Sequence, residues 1–448
     1  MFRKNILAAA VATVFVVPAS AVAADDAEIG NIREEINELK DGYENRIRSL
    51  EERLKKAETV TPPTTAAAST SSVSGTAGTF QLGVNILGAG GGSSVGDPEL
   101  SNLQAGGHDP SRNGFTVQNV EITATGAVDP YFDGQLNLIA LISSEGETAV
   151  ELEEAFLRTR ALPWGLQIKA GQFFTEFGRQ NSQHPHSWDF VDQPVIMSRL
   201  FGGDNLRSQG MRVSWLLPSS WFSELYFGAQ NAKGETVRSF LFDEASEIGG
   251  YTLVPSNGAR RAEDLLFNAR WLNGIDLTDT TSVNVGLSAL RGPNATGSDT
   301  FTNIYGADLY VKWKAALNQR GFPFVAWQTE FMRRNYEAVD SVSLGLPDAT
   351  LTDQGYYTQL LWGFRPGWVA GLRYEHAEGN DPNGNAAADP LRDDRTRVSP
   401  NLTFYPTEFS KIRLQYNRDR AEHLADRTAD SLWLQFEIGL GGHSAHKF

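Results

Sequence analysis

From Thr79 to its end, the sequence repeats segments of about ten residues in which apolar and polar side chains alternate. The last segment shows the pattern well, because Leu432, Leu434 and Phe436 occupy every second position and Gln435 lies between two of them. Successive side chains of a strand point to opposite faces, so each segment predicts a β-strand with one apolar face. We count sixteen such segments, at 79–88, 113–128, 131–142, 147–162, 165–172, 207–217, 221–230, 263–273, 280–291, 300–315, 322–333, 354–365, 367–377, 395–405, 409–418 and 430–448.

The connections between these segments alternate in length. Tight, proline-bearing connections follow the second, fourth, sixth, twelfth and fourteenth segments, and most of the intervening connections are long and polar. This alternation is typical of an up-and-down barrel with turns at one end and loops at the other. After residue 23 no apolar run approaches the length of about 20 residues that a membrane-spanning helix needs. We therefore predict an all-β fold, a 16-stranded antiparallel transmembrane β-barrel over residues 79–448, preceded by a short helical coiled coil.

The N-terminus and the composition indicate an exported protein. Residues 1–23 combine Arg3 and Lys4, an apolar stretch and a small-residue cleavage site, which is the pattern of a secretory signal peptide. Removing these two cations changes the formal net charge from -15 to -17, since the signal contains no other charged residue. Such a charge argues against nucleic acid as a partner and suits a surface in contact with divalent cations and lipopolysaccharide. The chain has no cysteine, so no disulfide forms after export.

Residues 24–58 change to helical spacing, with Ile29, Ile32, Ile36 and Leu39 separated by three or four positions. Isoleucine at both seam positions favours a parallel trimeric coiled coil in the periplasm. A single amphipathic helix lying on the barrel or the membrane is the alternative. Residues 59–78 are rich in Ala, Ser, Thr and Pro and are predicted to be a flexible linker.

The polar face of the predicted strands has a surplus of cations. Basic groups that line a narrow aqueous tube favour the passage of anions, whereas cations that pair with neighbouring acids only hold the barrel open. The six acids predicted to lie on the same inward face of the strands are Glu121, Glu154, Asp308, Glu330, Glu375 and Glu437. The twelve cations predicted to line the pore are Arg158, Arg160, Lys169, Arg212, Arg270, Lys312, Arg365, Arg373, Arg395, Arg397, Lys411 and Arg413. We expect Arg395, Arg397, Lys411 and Arg413 to gather on one wall with few inward acids, and Arg158 to pair with Glu154.

Together the signal, coil, linker, sixteen strands, basic lumen and the tail Gly442–Phe448 resemble the phosphate-selective porin O and P family and its coiled-coil-bearing relatives. The resemblance covers essentially the whole mature chain. It implies a homotrimeric porin in the outer membrane of a Gram-negative bacterium, in contact with lipid and lipopolysaccharide and passing small anions or small polar solutes. A last strand that ends in Phe448 is similar to the closing strand of such barrels, whose terminal aromatic residue is the signal for the barrel assembly machinery.

The 34-residue connection 173–206 is the third external loop of this count. In porins of this size the third loop folds into the barrel and narrows the pore, and the aromatic residues of this loop suit packing against an inner wall. The residues that we assign to the constriction are Arg179, His184, His186, Trp188, Asp189, Asp192 and Arg199.

Neither a metal nor a cofactor is predicted. His184 and His186 with Asp189 or Asp192 are two imidazoles on an irregular loop, and zinc normally requires three or four well-placed ligands. The sequence contains no nucleophile elbow, phosphate-binding loop or H-E-x-x-H motif, so no enzyme is predicted. The leading hypothesis is a passive diffusion channel. The alternative is a structural or tethering protein in which the barrel is an anchor and the coil binds a periplasmic partner.

Overall fold

The computed structural model describes residues 73–75, 78–142, 146–241, 247–254, 259, 261–339, 346–380, 382 and 389–441. The predicted signal peptide (1–23) and coiled coil (24–58), most of the linker (59–78) and the last seven residues, including Phe448, lie outside this part of the chain.

The described chain forms sixteen antiparallel strands that close into a barrel, as predicted. Each strand pairs with the next along the chain, and the last strand pairs with the first. The short strand Val73–Gly75 pairs with the beginning of β1, and two helices, α1 (Asp97–Leu103) and α2 (Val195–Phe201), lie in the loops. The strands are β1 Gly78–Ser93, β2 Gly114–Ala127, β3 Phe132–Ile142, β4 Thr148–Thr159, β5 Leu166–Phe174, β6 Arg207–Leu216, β7 Phe222–Asn231, β8 Leu265–Thr278, β9 Thr281–Pro293, β10 Phe301–Gln319, β11 Phe322–Ala338, β12 Ala349–Arg365, β13 Trp368–Gly379, β14 Arg395–Thr407, β15 Ser410–Ala421 and β16 Thr428–Gly441.

Closure of the barrel depends on a glycine-rich first strand. Trp433 of β16 is fully buried inside the barrel and stands opposite Gly91 of β1. A Cβ atom at position 91 would lie 2.0 Å from the backbone oxygen of Leu432 and 2.6 Å from the Trp433 ring. Because strands are hydrogen-bonded edge to edge here, only glycine allows this close approach.

The two faces of the strands have opposite chemistry. In β16 the outward Leu432 and Leu434 are 51% and 48% exposed, whereas the inward Gln435 and Glu437 are 2% and 1% exposed. Apolar side chains therefore cover the outside of the barrel, and polar and charged side chains point to its interior. Among the described residues, no helix combines the length and the apolar composition needed to cross a membrane.

The two ends of the barrel differ as the sequence pattern predicts. At one end the strands are joined by short turns, such as Arg320–Gly321, in which both residues have positive φ (54° and 84°) as a type I′ hairpin requires. Several exposed tryptophans, including Trp164 and Trp221, lie beside these turns. The connections at the other end, which we number in chain order, are L1 94–113, L2 143–147, L3 175–206, L4 232–264, L5 294–300, L6 339–348, L7 380–394 and L8 422–427.

Candidate functional site

L3 lies inside the barrel. All seven residues of α2, which belongs to this loop, are buried. Val195, Leu200 and Phe201 pack against the apolar part of L4 and against inward side chains of β8 to β13, such as Leu266 and Tyr357. A hydrophobic core of this kind inside the tube fixes L3 on the wall formed by these strands.

The beginning of L3 is held by the polar wall of β10 and β11. The carboxylate of Glu330 accepts hydrogen bonds from the backbone N–H groups of Arg179 (3.1 Å) and Gln180 (2.8 Å). The Arg179 guanidinium lies 3.8 Å from the ring centroid of Tyr310 and donates to Gln328 at 3.0 Å. Arg179 is half-buried and its backbone is fixed, so its position in the lumen is well defined.

The tip of L3, residues 184–192, has two parts, and the first part binds acids of the opposite wall. His184 lies 2.7 Å from Glu153 and 3.1 Å from Glu154, and His186 lies 2.8 Å from Glu121. Burial opposes protonation of His184, but Glu153 and Glu121 raise the pKa of its imidazole well above the ordinary value. The two imidazole rings stack with their centroids 5.7 Å apart.

The second part of the tip contacts β12, β14 and β15. The carbonyl oxygen of Trp188 accepts a hydrogen bond from Arg413 (2.8 Å), and that of Asp189 accepts one from Asn401 (2.9 Å). Phe190 packs in a second apolar cluster with side chains of β11 to β13. The tip therefore spans the lumen from the β2–β4 wall to the β14–β15 wall.

Asp192 is the centre of an ion-pair network. Its carboxylate pairs with Arg373 and, at 3.1 Å, with Arg397, and it accepts further hydrogen bonds from Gln415 (3.0 Å) and Asn417 (2.7 Å). Burial opposes ionisation, but the two arginines hold the pKa of Asp192 below its ordinary value. A carboxylate with so many donors is a strong attachment point for the loop.

L1 covers this network. Arg397 also pairs with Asp419 at 2.9 Å, and Arg395 pairs with the same carboxylate at 2.7 Å. Both guanidinium groups donate to the carbonyl oxygen of Leu103 at the C-terminal end of α1, each at 2.6 Å. Cations at a helix C-terminus interact favourably with its unpaired carbonyl groups, so α1 and L3 are joined through the same arginines.

Most of the predicted pore-lining cations are thus ion-paired. The expectation that Arg395, Arg397 and Lys411 face few acids is wrong, because Asp419, Asp192 and Glu437 pair with them. The expected partner of Arg158 is also wrong, since Asp133 of β3 pairs with it at 3.2 Å while Glu154 binds His184. Arg160 shares Asp133 (3.3 Å), Lys169 and Arg212 share Glu176 (3.3 and 3.1 Å), Arg270 pairs with Asp308 (2.6 Å), and Arg199 of L3 pairs with Asp393 of L7 (2.9 Å).

Of the cations that we predicted to line the pore or the constriction, four have no carboxylate within ion-pair distance in the described part of the chain: Arg179, Lys312, Arg365 and Arg413. Lys312 and Arg365 lie over the rings of Phe324 and Trp368, at 4.9 and 5.0 Å. Arg413 is 1% exposed and bound by neutral groups, whereas Arg179 and Lys312 are half-buried. Burial raises the pKa of Asp189, against the opposing effect of Arg413, Arg179, Lys411 and Lys312. Asp189 therefore lies in a region where cations outnumber acids.

Several site residues were missed from the sequence for identifiable reasons. Asp419 and Asp353 lie one residue beyond the ends of the predicted strands, although the alternation, continued by one residue, points both side chains into the barrel. Glu153 breaks the alternation, because a β-bulge opposite Asn137 and Leu138 turns both Glu153 and Glu154 inward. The mostly apolar segment Val195–Phe201 after Pro194, in which only Ser198 and Arg199 are polar, was a usable signal for a buried helix in L3.

The closed sheet with an inward-folded third loop defines the class: a 16-stranded porin-type barrel of the bacterial outer membrane. It is similar to the outer membrane channel DcaP of Acinetobacter baumannii, with a TM-score of 0.55 and 11% identity over 82% of this chain and 98% of that one. It is also similar to OprB of Pseudomonas putida, with a TM-score of 0.51 and 11% identity over 80% of this chain and 94% of that one. At such identities the likeness shows the fold. The localisation predicted from the sequence, the outer membrane of a Gram-negative bacterium, is confirmed by this fold and its apolar exterior.

The chain belongs to the same family as an uncharacterized protein of Aquifex aeolicus (strain VF5). The two are 32% identical over 373 residues, which cover 79% of this chain and 76% of that protein. No protein-family model matches the sequence.

Proposed function

We propose that this protein is an outer-membrane porin, a passive diffusion channel for small anions or small polar solutes whose pore is narrowed by L3. The observation that carries the proposal is the placement of L3, which crosses the lumen of a closed barrel. At the short-turn end, a cavity of about 460 Å³ on the β1–β4 side of the barrel is lined by polar side chains such as Gln81, Gln135 and Arg158. A tube narrowed by an inward-folded loop is the arrangement that a size-selective channel needs.

Anion preference follows from the cations that lack a carboxylate partner. Arg179 and Lys312 are half-buried in the lumen, both interact with Asp189, and Glu330 binds the backbone N–H of Arg179 rather than its guanidinium group. Paired arginines deeper in the packed network contribute little net charge to a passing solute. The sequence resemblance to the phosphate-selective porin O and P family adds support for anions, and we assign the selectivity to Arg179 and Lys312 rather than to Arg395 and Arg397.

Planar-bilayer recording of the purified, folded protein tests the proposal. We expect discrete conductance steps and, at low salt, a reversal potential that indicates anion preference. The preference should decrease as the Debye length falls from about 10 Å at 0.1 M salt to about 3 Å at 1 M. Steps with cation preference would contradict the anion assignment while leaving the channel intact.

A second function is favoured by a specific observation, the amount of protein inside the barrel. L1, L3 and L4 together build a hydrophobic core and an ion-pair network across the loop end of the tube. A barrel filled in this way suits an anchor, with residues 24–58 binding a periplasmic partner. A folded protein that inserts into bilayers and gives no conductance steps would support the anchor and exclude the channel.

The proposed assembly is a homotrimer joined by the coil, inserted into lipid and lipopolysaccharide by the assembly machinery through Phe448. Deleting residues 25–58 should leave an inserted barrel whose oligomer dissociates more readily in detergent on heating. A full-length protein that is monomeric in mild detergent would rule out the trimeric coil.

A further inference from the structure

Five side chains with metal-binding chemistry meet where the L3 tip reaches the β2–β4 wall. Glu121 comes from β2, Glu153 and Glu154 from β4, and His184 and His186 from L3. One donor atom each of Glu121, Glu153 and His184 lies within 4.8 Å of the other two. The two wall acids of this trio are 1% exposed, and the His184 side chain is 12% exposed. Donors from three separate parts of the chain therefore converge on one enclosed point.

The two nitrogens of His184 face different carboxylates. Nδ1 lies 2.7 Å from Glu153 and 3.4 Å from Glu121, and Nε2 lies 3.1 Å from Glu154. A metal-bound histidine usually donates its other ring N–H to a carboxylate, which fixes the ring and its tautomer. Glu154 occupies that orienting position, so Nδ1 can serve as the ligand beside Glu121 and Glu153.

Glu121 is also held in place by neighbours. Its Oε1 accepts hydrogen bonds from Asn137 (2.6 Å) and Thr123 (2.9 Å), and its Oε2 lies 2.8 Å from Nδ1 of His186. Outer partners of this kind orient a ligating carboxylate before the metal binds.

The charge balance of the cluster also favours a cation. Three carboxylates are nearly or fully buried, and buried carboxylates are costly unless a cation compensates them. Among the charged groups that affect Glu121 and Glu154, the cations are the two histidines and Lys169, and Lys169 already pairs with Glu176 at 3.3 Å. A divalent ion would compensate the acids while leaving the imidazoles neutral.

We propose that Glu121, Glu153 and His184 bind one divalent transition-metal ion of the zinc class, with Glu154 and His186 as orienting residues. A combination of imidazole and carboxylate ligands suits zinc and its neighbours better than calcium or magnesium. Two ligands at tetrahedral angles around zinc are about 3.4 Å apart. The spacing between His184 and Glu121 matches this distance, whereas the 2.7 Å between His184 and Glu153 is a hydrogen bond that must lengthen when the ion binds. The bound ion would join L3 to the barrel wall.

This site differs from the arrangement considered from the sequence. The structure does not bring Asp189 or Asp192 to the histidines, since these acids contact Gln359 and Arg373 on other walls. The missing ligands come instead from β2 and β4, which are 30 or more residues away from His184 along the chain. The prediction that no metal binds rested on counting ligands within L3 alone.

The test is zinc binding to the folded, full-length protein in detergent after removal of metal with a chelator. Zn²⁺ is titrated by isothermal calorimetry in the presence of excess Mg²⁺, which occupies surface carboxylates and so suppresses weak binding of Zn²⁺ to them. We expect one site per chain, and a Zn²⁺-dependent rise in unfolding temperature because the ion binds only the folded state. H184A and E121Q should weaken binding at least about 10-fold, since even outer partners of a metal site change affinity by about 10- to 100-fold.

The matched control is H423A. His423 lies in L8, outside the cluster, and pairs with one carboxylate, that of Asp393 in L7, at 2.8 Å. Its loss should therefore leave zinc binding unchanged. If H184A does not fold, E153Q is the second test, because the amide keeps the volume and one hydrogen-bond acceptor. No binding by the unmodified protein, or equal binding by H184A, E121Q and H423A, would overturn the proposal. Binding is measured without reference to conductance, so the result is independent of the proposed channel function.

Discussion

L3 is held on two sides of the lumen by two different kinds of charge. On the β13–β15 side, Asp192 of the loop binds Arg373 and Arg397 of the wall. On the β2–β4 side the signs are reversed, and His184 of the loop binds acids of the wall. Guanidinium groups remain charged at any physiological pH, whereas an imidazole gains its charge from a proton or gives way to a metal ion. The arginine side therefore works as a permanent attachment, and the histidine side as one that depends on conditions.

The difference also explains where the energy of attachment lies. Buried ion pairs gain little over apolar packing, but removing one partner leaves an uncompensated charge and is strongly destabilising. Removing Asp192 from the arginine side should thus cost more than breaking an exposed pair. Removing both sides should release the tip of L3, while α2 stays packed in its hydrophobic core.

The largest effect is expected from removing residues 184–192, which carry both attachments. The tube should then widen, so single-channel conductance should increase severalfold and larger solutes should pass. Planar-bilayer recordings of the deletion variant check this. Replacing the exposed Ser298 and Asp299 of L5 by glycine is the control and should leave conductance unchanged. Unchanged conductance of the deletion variant would show that L3 does not limit the flow.

The arginine side alone is tested by Asp192→Ala. This change leaves Arg373 and Arg397 buried with only their second partners, and should lower the free energy of unfolding by about 3 kcal/mol. The control is Asp430→Ala, which breaks the exposed pair with Arg418 (3.2 Å) and should cost much less, since exposed pairs contribute little to stability. Thermal and denaturant unfolding of the folded barrels give both values. Equal losses would mean that the buried network does not hold the loop.

The comparison also shows how far the sequence could go. Period-two alternation is a local property, so it predicts sixteen strands and the face that a side chain occupies, except at a β-bulge such as the one at Glu153. Strand ends are less certain, and β12 begins at Ala349 rather than at the predicted 354, which hid Asp353. Partners such as Asp192 and Arg397, 205 residues apart, are set by how the loop folds, which no local pattern encodes.

Selectivity should change less than conductance or stability. Changing Arg179 and Lys312 together to Ala removes two half-buried cations that lack a carboxylate partner, so the anion-to-cation permeability ratio should fall at low salt, by a smaller factor than the conductance rises in the deletion variant. Arg158→Ala is the control, because Arg158 and Arg160 share Asp133 and the remaining arginine still compensates the acid. Reversal potentials in a salt gradient measure both. An unchanged ratio in the double variant would assign selectivity to other groups.

The smallest effect concerns L1, which contacts L3 through Asp109. Its Oδ1 accepts a hydrogen bond from the backbone N–H of Gln193 at 2.8 Å. Burial and the nearby Asp192 raise the pKa of Asp109 to about 7, although Gln193, Arg397 and Gly106 favour the ionised form.

An aspartate in an unfolded chain titrates near about 3.9, so the folded state binds this proton more tightly than the unfolded state. The stabilisation is therefore complete below about pH 4 and is lost as the pH rises towards and through about 7. Asp109→Asn resembles the protonated acid and should remove this dependence. We expect the unfolding temperature of the unmodified protein to fall by a few degrees between about pH 4 and about pH 8 and that of the variant to change less over the same range. A variant that loses stability between these pH values as steeply as the unmodified protein would show that L1 is held by charges other than Asp109, such as those of Arg395 and Arg397.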